Sequence, residues 1–151
     1  ECLGNIIYAY HECEIQEIVA QQLSDSERRL AVLESGTCGL VSHNFHGVED
    51  IRNSIEHCEI RSSLCDGYTP TKLEQVAKTF HNSHEAHLSI VVGDVTESTE
   101  EAGPLIHVAI VSDQETQIQQ FPFTGHSNIR IAKAAKQAIN SLRLYLLSPS
   151  G

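Results

Sequence analysis

Ser35 is the residue of this sequence best placed for chemistry, because it stands in a glycine-containing turn directly after a short apolar run. The run, residues 30–33, predicts a buried strand, and Gly36 and Gly39 permit a tight reversal of the backbone. Apolar spacing resumes at Leu40 and predicts a short helix. Free backbone N–H groups and a helix dipole at such a junction favour a nucleophile or an anionic ligand. On spacing alone, a plain turn with a serine helix cap is the simpler interpretation.

Histidines supply the second set of candidate groups. His81, His84 and His87 recur every third residue, a spacing that could bring two imidazoles toward one metal ion on a helix. The order departs from the His-Glu-x-x-His pattern, so a solvated helix end is the preferred interpretation and no metal site is predicted. His43 and His46 are alternative bases for Ser35 if the short helix folds them back toward it.

The five cysteines predict free thiols rather than a zinc site. They are Cys2, Cys13, Cys38, Cys58 and Cys65. Their number is odd, their spacing matches no zinc signature, and no secretion signal precedes them, so we expect free thiols in a reducing cytoplasm. A disulfide between Cys58 and Cys65 remains the alternative.

Composition predicts one globular domain over residues 1–151, with 40% hydrophobic and 20% charged residues. The formal net charge is −10 and no basic stripe with interleaved aromatic residues occurs, so direct nucleic-acid binding is not expected. Apolar runs are far too short to span a membrane. The acidic segment 94–101 offers carboxylates to a hard cation, but it lacks EF-hand spacing and a solvated loop is the default interpretation.

Patterning along the chain then gives the elements that must position these residues. Four helices are expected: one within residues 3–23, one over about 37–46, one from a Thr69-Pro70 start to about His81, and one from Ser127 or Asn128 onward. Strands are expected over residues 29–33 and 88–92, and two further strands, 105–111 and 116–123, are expected to form a hairpin. Residues 47–67 fit either a helix carrying Ile51 and Ile55 or an edge strand over 56–64. The order predicts a layered α/β/α domain with a mixed sheet, a C-terminal hairpin and a long final helix. Because the sequence begins at Glu1 and contains no Met, we expect a fragment of a longer chain.

Residues 30–39 resemble the A-x-A-E-S-C-T-G-G stretch of the CinA C-terminal domain, the nicotinamide-nucleotide amidohydrolase family. Glu34, Ser35, Thr37 and Gly39 align with it without gaps. Further stretches follow in the family's order: 71–80 resembles S-x-E-V-A, 88–93 the strand into T-G-I-A-G-P, 104–110 the K-P-V-G-T-V-x-I-A strand, and 121–130 the F-x-G-D-R-x-x-I-R start of the last helix. The chain is thereby identified as a degenerate member of this family.

The resemblance implies hydrolysis of the carboxamide of nicotinamide mononucleotide to nicotinate mononucleotide and ammonia, with Ser35 as nucleophile. It also implies a protein that self-associates and takes a pyridine nucleotide as its small-molecule partner. No cofactor is expected, and the location expected from the free thiols is cytoplasmic. The substrate-binding residues carried over are Glu34, Gly36, Thr37, Cys38, Gly39, Gly93 and Arg130. Glu34 has a second interpretation, as a residue that orients its neighbours or bonds the backbone amides of the turn.

Two departures from the family pattern bear on activity. The family places a Tyr and a Lys near the serine from the motif Y-S-N-E-A-K, and residues 47–67 contain neither, so Tyr68 and Lys72 are only weak candidates for a relocated pair. The Asp-Arg of G-D-R is replaced by His126 and Ser127, which weakens the case for phosphate binding. Two hypotheses therefore stay open: a deamidase of weakened activity, and an inactive relative that serves as an assembly or ligand-sensing domain.

Overall fold

The computed structural model describes residues 14–97 and 103–148, which form a five-stranded sheet with helices on both faces. The strands are β1 (Leu30–Glu34), β2 (Ile55–Ile60), β3 (Leu88–Val92), β4 (Leu105–Ser112) and β5 (Thr116–Pro122). The helices are α1 (Ile15–Asp25), α2 (Leu40–His46), α3 (Leu73–Asn82) and α4 (Arg130–Leu147), with two short 3-10 helices at Glu49–Asn53 and Pro70–Lys72. The predicted fold class, a layered α/β domain with a mixed sheet, a hairpin and a long final helix, is confirmed.

The sheet has the order β2-β1-β3-β4-β5, parallel in its first three strands and antiparallel in the last two pairings. The register sets Glu34 beside Val92, so β1 and β3 end side by side. The strand that follows β1 in the chain, β2, lies on one side of β1, and the next strand, β3, lies on its other side. In open α/β sheets, ligands bind at the carboxyl ends of strands where the connections diverge in this way.

Alternating side chains of the strands build two separate cores. Leu30 and Val32 of β1 belong to the larger core, which the helices α1, α2 and α4 cover. Ala31 and Leu33 point to the opposite face, where α3 supplies the main cover. In the described part of the chain, no helix combines the length and the apolar character needed to cross a membrane.

Residues 47–67, which the sequence left with two alternatives, contain a strand. The 3-10 turn at Glu49–Asn53 buries Ile51 in the larger core, and Ile55 then begins β2 at the edge of the sheet. The helical alternative is wrong because Ile55 pairs with β1 instead of continuing a helical stripe. The edge-strand alternative is confirmed in type, although β2 ends at Ile60 rather than continuing to residue 64.

Helix boundaries differ from prediction by a few residues. Thr69 precedes a 3-10 turn rather than capping α3, and its hydroxyl pairs with that of Thr71 at 2.8 Å. The last helix begins at Arg130 because His126 first closes a turn with Ile129. Residues 3–13 of the predicted first helix region, residues 98–101 of the acidic segment with Ala102 after it, and residues 149–151 lie outside the described residues.

Candidate active site

Ser35 lies at the carboxyl end of β1, where the backbone remains paired with the chain following β3. Its N–H donates to the Val92 carbonyl at 3.1 Å, and the N–H of Gly36 donates to the Gly93 carbonyl at 3.0 Å. A Cβ atom at position 36 would lie 2.6 Å from that Gly93 oxygen, so the close approach requires glycine. Ser35 is only 7% exposed, so its hydroxyl group lies in a nearly closed space between two strand ends.

The partner of the Ser35 hydroxyl group is a carboxylate. Ser35 Oγ donates to Asp94 Oδ1 at 2.6 Å. The Asp94 carboxylate also accepts the backbone N–H of Leu64 at 2.9 Å and the hydroxyl group of Ser63. These bonds hold Asp94 within the distance that a general base needs. The base available to Ser35 is therefore aspartate, whereas the sequence suggested tyrosine, lysine or histidine.

Tyr68 contacts the same strand end. A Cβ atom at position 93 would overlap the Tyr68 hydroxyl oxygen, which shows how closely the phenol lies against Gly93. That oxygen is buried and has no hydrogen-bond partner within the described residues. Burial, followed by the charges of Asp94 and Cys65, raises the pKa of Tyr68 to about 12. Tyr68 is therefore a neutral hydrogen-bond donor beside Asp94, and at neutral pH it is no base.

Lys72 holds the loop before α3. Its Nζ donates to the carbonyl oxygens of Gly67 at 2.8 Å and Asp66 at 3.4 Å. The Ser35 hydroxyl, in the part of the chain that is described, bonds Asp94 and the Ser62 carbonyl instead. Of the two candidates for a relocated Tyr/Lys pair, Tyr68 lies beside Gly93 at the end of β3, whereas the amino group of Lys72 bonds carbonyl oxygens of its own loop.

Glu34 caps the helix that follows the turn. Its carboxylate is fully buried and accepts the N–H groups of Val41 and Ser42, at 3.1 and 2.7 Å, in the first turn of α2. The hydroxyl groups of Thr37 and Ser42 donate to the same carboxylate at 2.6 and 2.7 Å. Although Glu34 lies before the turn, its carboxylate accepts the backbone N–H groups that an N-cap side chain would otherwise bind. This explains why α2 begins at Leu40 without a serine cap. The interpretation of Ser35 as that cap is wrong, since Gly39 occupies the N-cap position.

The backbone of residues 36–39 offers fewer free donors than the sequence suggested. The N–H of Gly36 is used by Gly93, and the N–H of Cys38 donates to the Ser35 carbonyl at 3.0 Å. The N–H groups of Thr37 and Gly39 have no partner within the described residues. Cys38 and Gly39 both have positive φ, 56° and 90°, and this left-handed pair of residues turns the chain into α2.

A groove of about 920 Å³ borders the turn on its α2 side. Cys38, His43, His46 and Ile131 are among the residues that line it. Arg130 precedes Ile131 at the start of α4, and its guanidinium carbon lies 5.1 Å from the ring centre of Phe123. Thr37, Cys38, Gly39 and α4 therefore share one groove, while Arg130 itself lies over an aromatic ring.

The histidines singled out by spacing have three different surroundings. His81 is buried between Ser89 and Asp113, with bonds of 2.7 and 2.9 Å. His87 accepts the N–H of Arg29 through Nδ1 at 2.9 Å. His84 lies apart from both and stacks on His57. The regular spacing therefore does not bring the three imidazoles together.

The described cysteines, Cys38, Cys58 and Cys65, are free thiols, and the alternative disulfide between Cys58 and Cys65 is not formed. Burial raises the pKa of Cys58, a hydrogen bond with Ser42 lowers it in part, and the charge of Glu34 raises it again. Cys58 therefore behaves as a partly buried neutral thiol.

Asp94 and Ser63 are the site residues that sequence reasoning did not connect with Ser35. Asp94 was assigned only to an acidic loop, although it directly follows the strand that pairs with β1. Because adjacent parallel strands end at the same edge of a sheet, a polar residue just after each strand is the signal that could have joined Ser35 to Asp94. For Ser63 we find no such signal, since it lies in an irregular segment after the edge strand.

Comparisons with known proteins point to one superfamily. No protein-family model matches the sequence. A CinA-like protein of Sulfurihydrogenibium sp. is 22% identical over an alignment of 168 residues, which covers 98% of this chain and 42% of that relative. The competence damage-inducible protein A (ComA) of Klebsiella pneumoniae has a TM-score of 0.74 at 18% identity, over 87% of this chain and 94% of that one. The chain is CinA-like in sequence and in fold.

A second solved structure shares this fold. The competence/damage inducible protein CihA of Agrobacterium tumefaciens has a TM-score of 0.70 at 13% identity, over 90% of this chain and 98% of that one. The resemblance to CinA that residues 30–39 suggested is confirmed: a CinA-like protein is similar in sequence, and the two solved structures share the fold. The amidohydrolase assignment and its substrate stay predictions.

Proposed function

We propose that this CinA-like chain hydrolyses the carboxamide of a pyridine nucleotide, with nicotinamide mononucleotide as the reference substrate and with weakened activity. The observation that supports the proposal is the hydrogen bond of 2.6 Å from Ser35 Oγ to Asp94 Oδ1 at adjacent strand ends. A serine hydroxyl is a weak nucleophile until a neighbouring group accepts its proton. Asp94 is the group positioned to do so.

The reaction follows from this pair. Ser35 Oγ attacks the carboxamide carbon while its proton passes to Asp94. The tetrahedral intermediate then collapses, the C–N bond breaks, and Asp94 returns the proton to the leaving nitrogen, so that ammonia departs and an ester on Ser35 remains. Water activated by Asp94 hydrolyses this ester, which releases the carboxylic acid and restores the serine hydroxyl.

Three donors are suited to the negative charge that develops on the carbonyl oxygen. The N–H groups of Thr37 and Gly39 are unpaired within the described residues, and the neutral Tyr68 phenol lies beside Gly93. Preorganised donors of this kind commonly supply the largest part of transition-state stabilisation in acyl transfer.

The expected weakness also has a physical origin. A carboxylate is a weaker base toward a serine hydroxyl than the imidazole that most often serves as a general base in enzymes. The negative charge of Asp94 moreover opposes an anionic substrate near Ser35. The same observation favours the second candidate function, a ligand-sensing relative that binds a nucleotide without cleaving it.

The test is ammonia release from nicotinamide mononucleotide by the chain and by Ser35→Ala and Asp94→Asn. We expect Ser35→Ala to abolish release, and Asp94→Asn to lower the rate by about 10²–10⁴-fold, the usual contribution of a general base. Ser83→Ala is the matched control, because Ser83 is exposed and its hydroxyl bonds only the Thr79 carbonyl within its own helix end.

Equal rates of ammonia release by the wild-type chain and by Ser35→Ala would refute the role of Ser35 as nucleophile. If the wild-type chain releases no ammonia but binds nicotinamide mononucleotide in equilibrium dialysis, and Ser35→Ala alters that binding, the ligand-sensing function replaces the hydrolase.

A further inference from the structure

A second set of functional side chains lies on the α3 face of the edge strand. His57 and Glu59 are two residues apart in β2 and so project to the same face of the sheet. His84 follows the carboxyl end of α3 and meets them there. The available ligand atoms of these three side chains all lie within 4.8 Å of one another.

The hydrogen bonding of His84 leaves one nitrogen free for a metal ion. Its Nδ1 lies 2.8 Å from the Phe80 carbonyl oxygen, a bond that requires the proton on Nδ1. The lone pair is then on Nε2. Metal-binding histidines are commonly oriented by a backbone carbonyl in this manner, which fixes both the tautomer and the ring.

Glu59 supplies a charged oxygen ligand. Arg61 donates a hydrogen bond to Glu59 Oε2, and the other carboxylate oxygen, Oε1, is the one that lies toward His57. His57 Nε2 already lies 3.4 Å from Glu59 Oε1. Arg61 and Lys72 line the adjoining groove of about 570 Å³, and they are the cationic groups that a metal ion must compete with.

We propose that His57, Glu59 and His84 bind one divalent transition-metal ion of the Zn²⁺ class, with water completing a tetrahedral shell. Two imidazoles and one carboxylate form a ligand set typical of Zn²⁺. At Zn–ligand distances of about 2.0–2.2 Å, the donor atoms must approach to about 3.3 Å of one another.

His57 has room to make this adjustment. Its side chain is 41% exposed. The two imidazole rings are stacked, with centroids 4.2 Å apart and planes 24° from parallel, so their lone pairs do not yet converge. Rotation of the His57 ring about its side-chain bonds directs its Nε2 toward the ion, while the Phe80 carbonyl holds His84 still.

The bound ion would join the edge strand β2 to the end of α3. These two elements flank residues 62–67, the segment that supplies Ser63 and Leu64 to Asp94. The proposal rests on the three side chains alone and is independent of the hydrolase activity.

The experiment measures Zn²⁺ binding to the whole 151-residue chain by competition with a chromophoric chelator. We expect one site, with affinity at least tenfold lower in His57→Ala and in His84→Ala. His126→Ala is the matched control, because this exposed histidine lies in a turn outside the cluster. Since thiols also bind zinc, a Co²⁺ spectrum is recorded as well, and the site should lack thiolate-to-cobalt charge-transfer absorption.

A second measurement uses the unmodified chain, so that the proposal can be tested even if the variants fail to fold. Zn²⁺ should protect His57 and His84 from acylation by diethyl pyrocarbonate while His126 continues to react. The proposal is overturned if Zn²⁺ gives no such protection, or if a folded His57→Ala/His84→Ala double variant binds Zn²⁺ with the affinity and stoichiometry of the unmodified chain.

Discussion

At the scale of single residues, Asp94 decides what the Ser35 turn can do. Its carboxylate accepts hydrogen bonds from the Ser35 hydroxyl, the Ser63 hydroxyl and the Leu64 N–H, which belong to two different segments. An aspartate that accepts several hydrogen bonds is held in one orientation, which favours proton transfer with Ser35 over a solvated, mobile carboxylate. The same bonds make Asp94 a structural residue, so its substitution affects folding as well as rate.

Tyr68 gives a residue-scale prediction about pH. Because its pKa is about 12 in the folded protein and about 10 in an unfolded chain, folding favours the neutral phenol. The stability that Tyr68 contributes is therefore complete below about pH 10 and is lost as the pH rises toward 12. Spectrophotometric titration of tyrosinate should show a late-titrating group that belongs to Tyr68.

The control for this prediction is Tyr68→Phe. The variant should lose the late-titrating group and show a smaller loss of stability between about pH 10 and 12. A high-pH titration that is the same in Tyr68→Phe as in the wild-type chain would contradict the prediction.

The residues of the site were predicted only where one segment carries the signal. Ser35 could be found because a strand, a serine and two glycines follow one another in the chain. The pairing of Ser35 with Asp94 spans 59 residues and depends on β3 lying beside β1, which no local pattern specifies. The role of Glu34 as a distant helix cap was hidden for the same reason, since its partners belong to the next element.

At the scale of elements, His81 joins α3 to the sheet and to the hairpin. Its Nδ1 pairs with Ser89 Oγ in β3, and its Nε2 pairs with Asp113 Oδ1 in the turn between β4 and β5. His81 is buried, whereas the Asp113 side chain is 86% exposed. The histidine is thus the member on which the packing depends.

We predict that His81→Ala lowers the free energy of unfolding by about 2–4 kcal/mol, through the cavity it leaves and the buried Ser89 hydroxyl it deprives of a partner. Asp113→Ala should cost less than about 1 kcal/mol, since its bond lies at the surface. Urea denaturation measures both values. Equal losses for the two variants would show that the hairpin contact, not the buried ring, dominates.

Elements were predictable where the pattern was strong. The apolar run at β3 and the two strands of the hairpin were predicted with the correct type and nearly the correct limits. The segment from the Glu49–Asn53 turn through β2 was ambiguous, because the burial of Ile51 and the edge position of β2 come from tertiary packing. Edge strands are half exposed, so their alternation is weak in the sequence.

At the scale of the whole molecule, the net negative charge should affect the free energy of unfolding more than any single ion pair does. The formal net charge of −10 implies mutual repulsion in the compact state. The ion pair between Lys78 and Glu74 is typical of the described surface pairs, which are partly exposed and contribute little. Self-association and a pyridine-nucleotide partner stay predictions from the family resemblance, and a cytoplasmic location stays a prediction from the cysteines.

We predict that moderate NaCl raises the midpoint of thermal unfolding at pH 7.5, because salt screens repulsion between exposed carboxylates. The gain should shrink near the isoelectric point of about 5.2, where the net charge is small. Calorimetry at several salt concentrations and at both pH values tests this. A gain of equal size at the two pH values would mean that repulsion is not the cause.

The contact between Tyr68 and Gly93 has a consequence for the evolution of this chain. A side chain at position 93 would displace the phenol from its present position, because the Tyr68 hydroxyl oxygen occupies the space a Cβ atom would take. Positions 68 and 93 should therefore vary together: relatives with a larger residue at the position of Gly93 should carry a smaller one at that of Tyr68. A lineage that replaces this glycine would therefore also move the phenol away from Asp94, so that a single substitution would change the site.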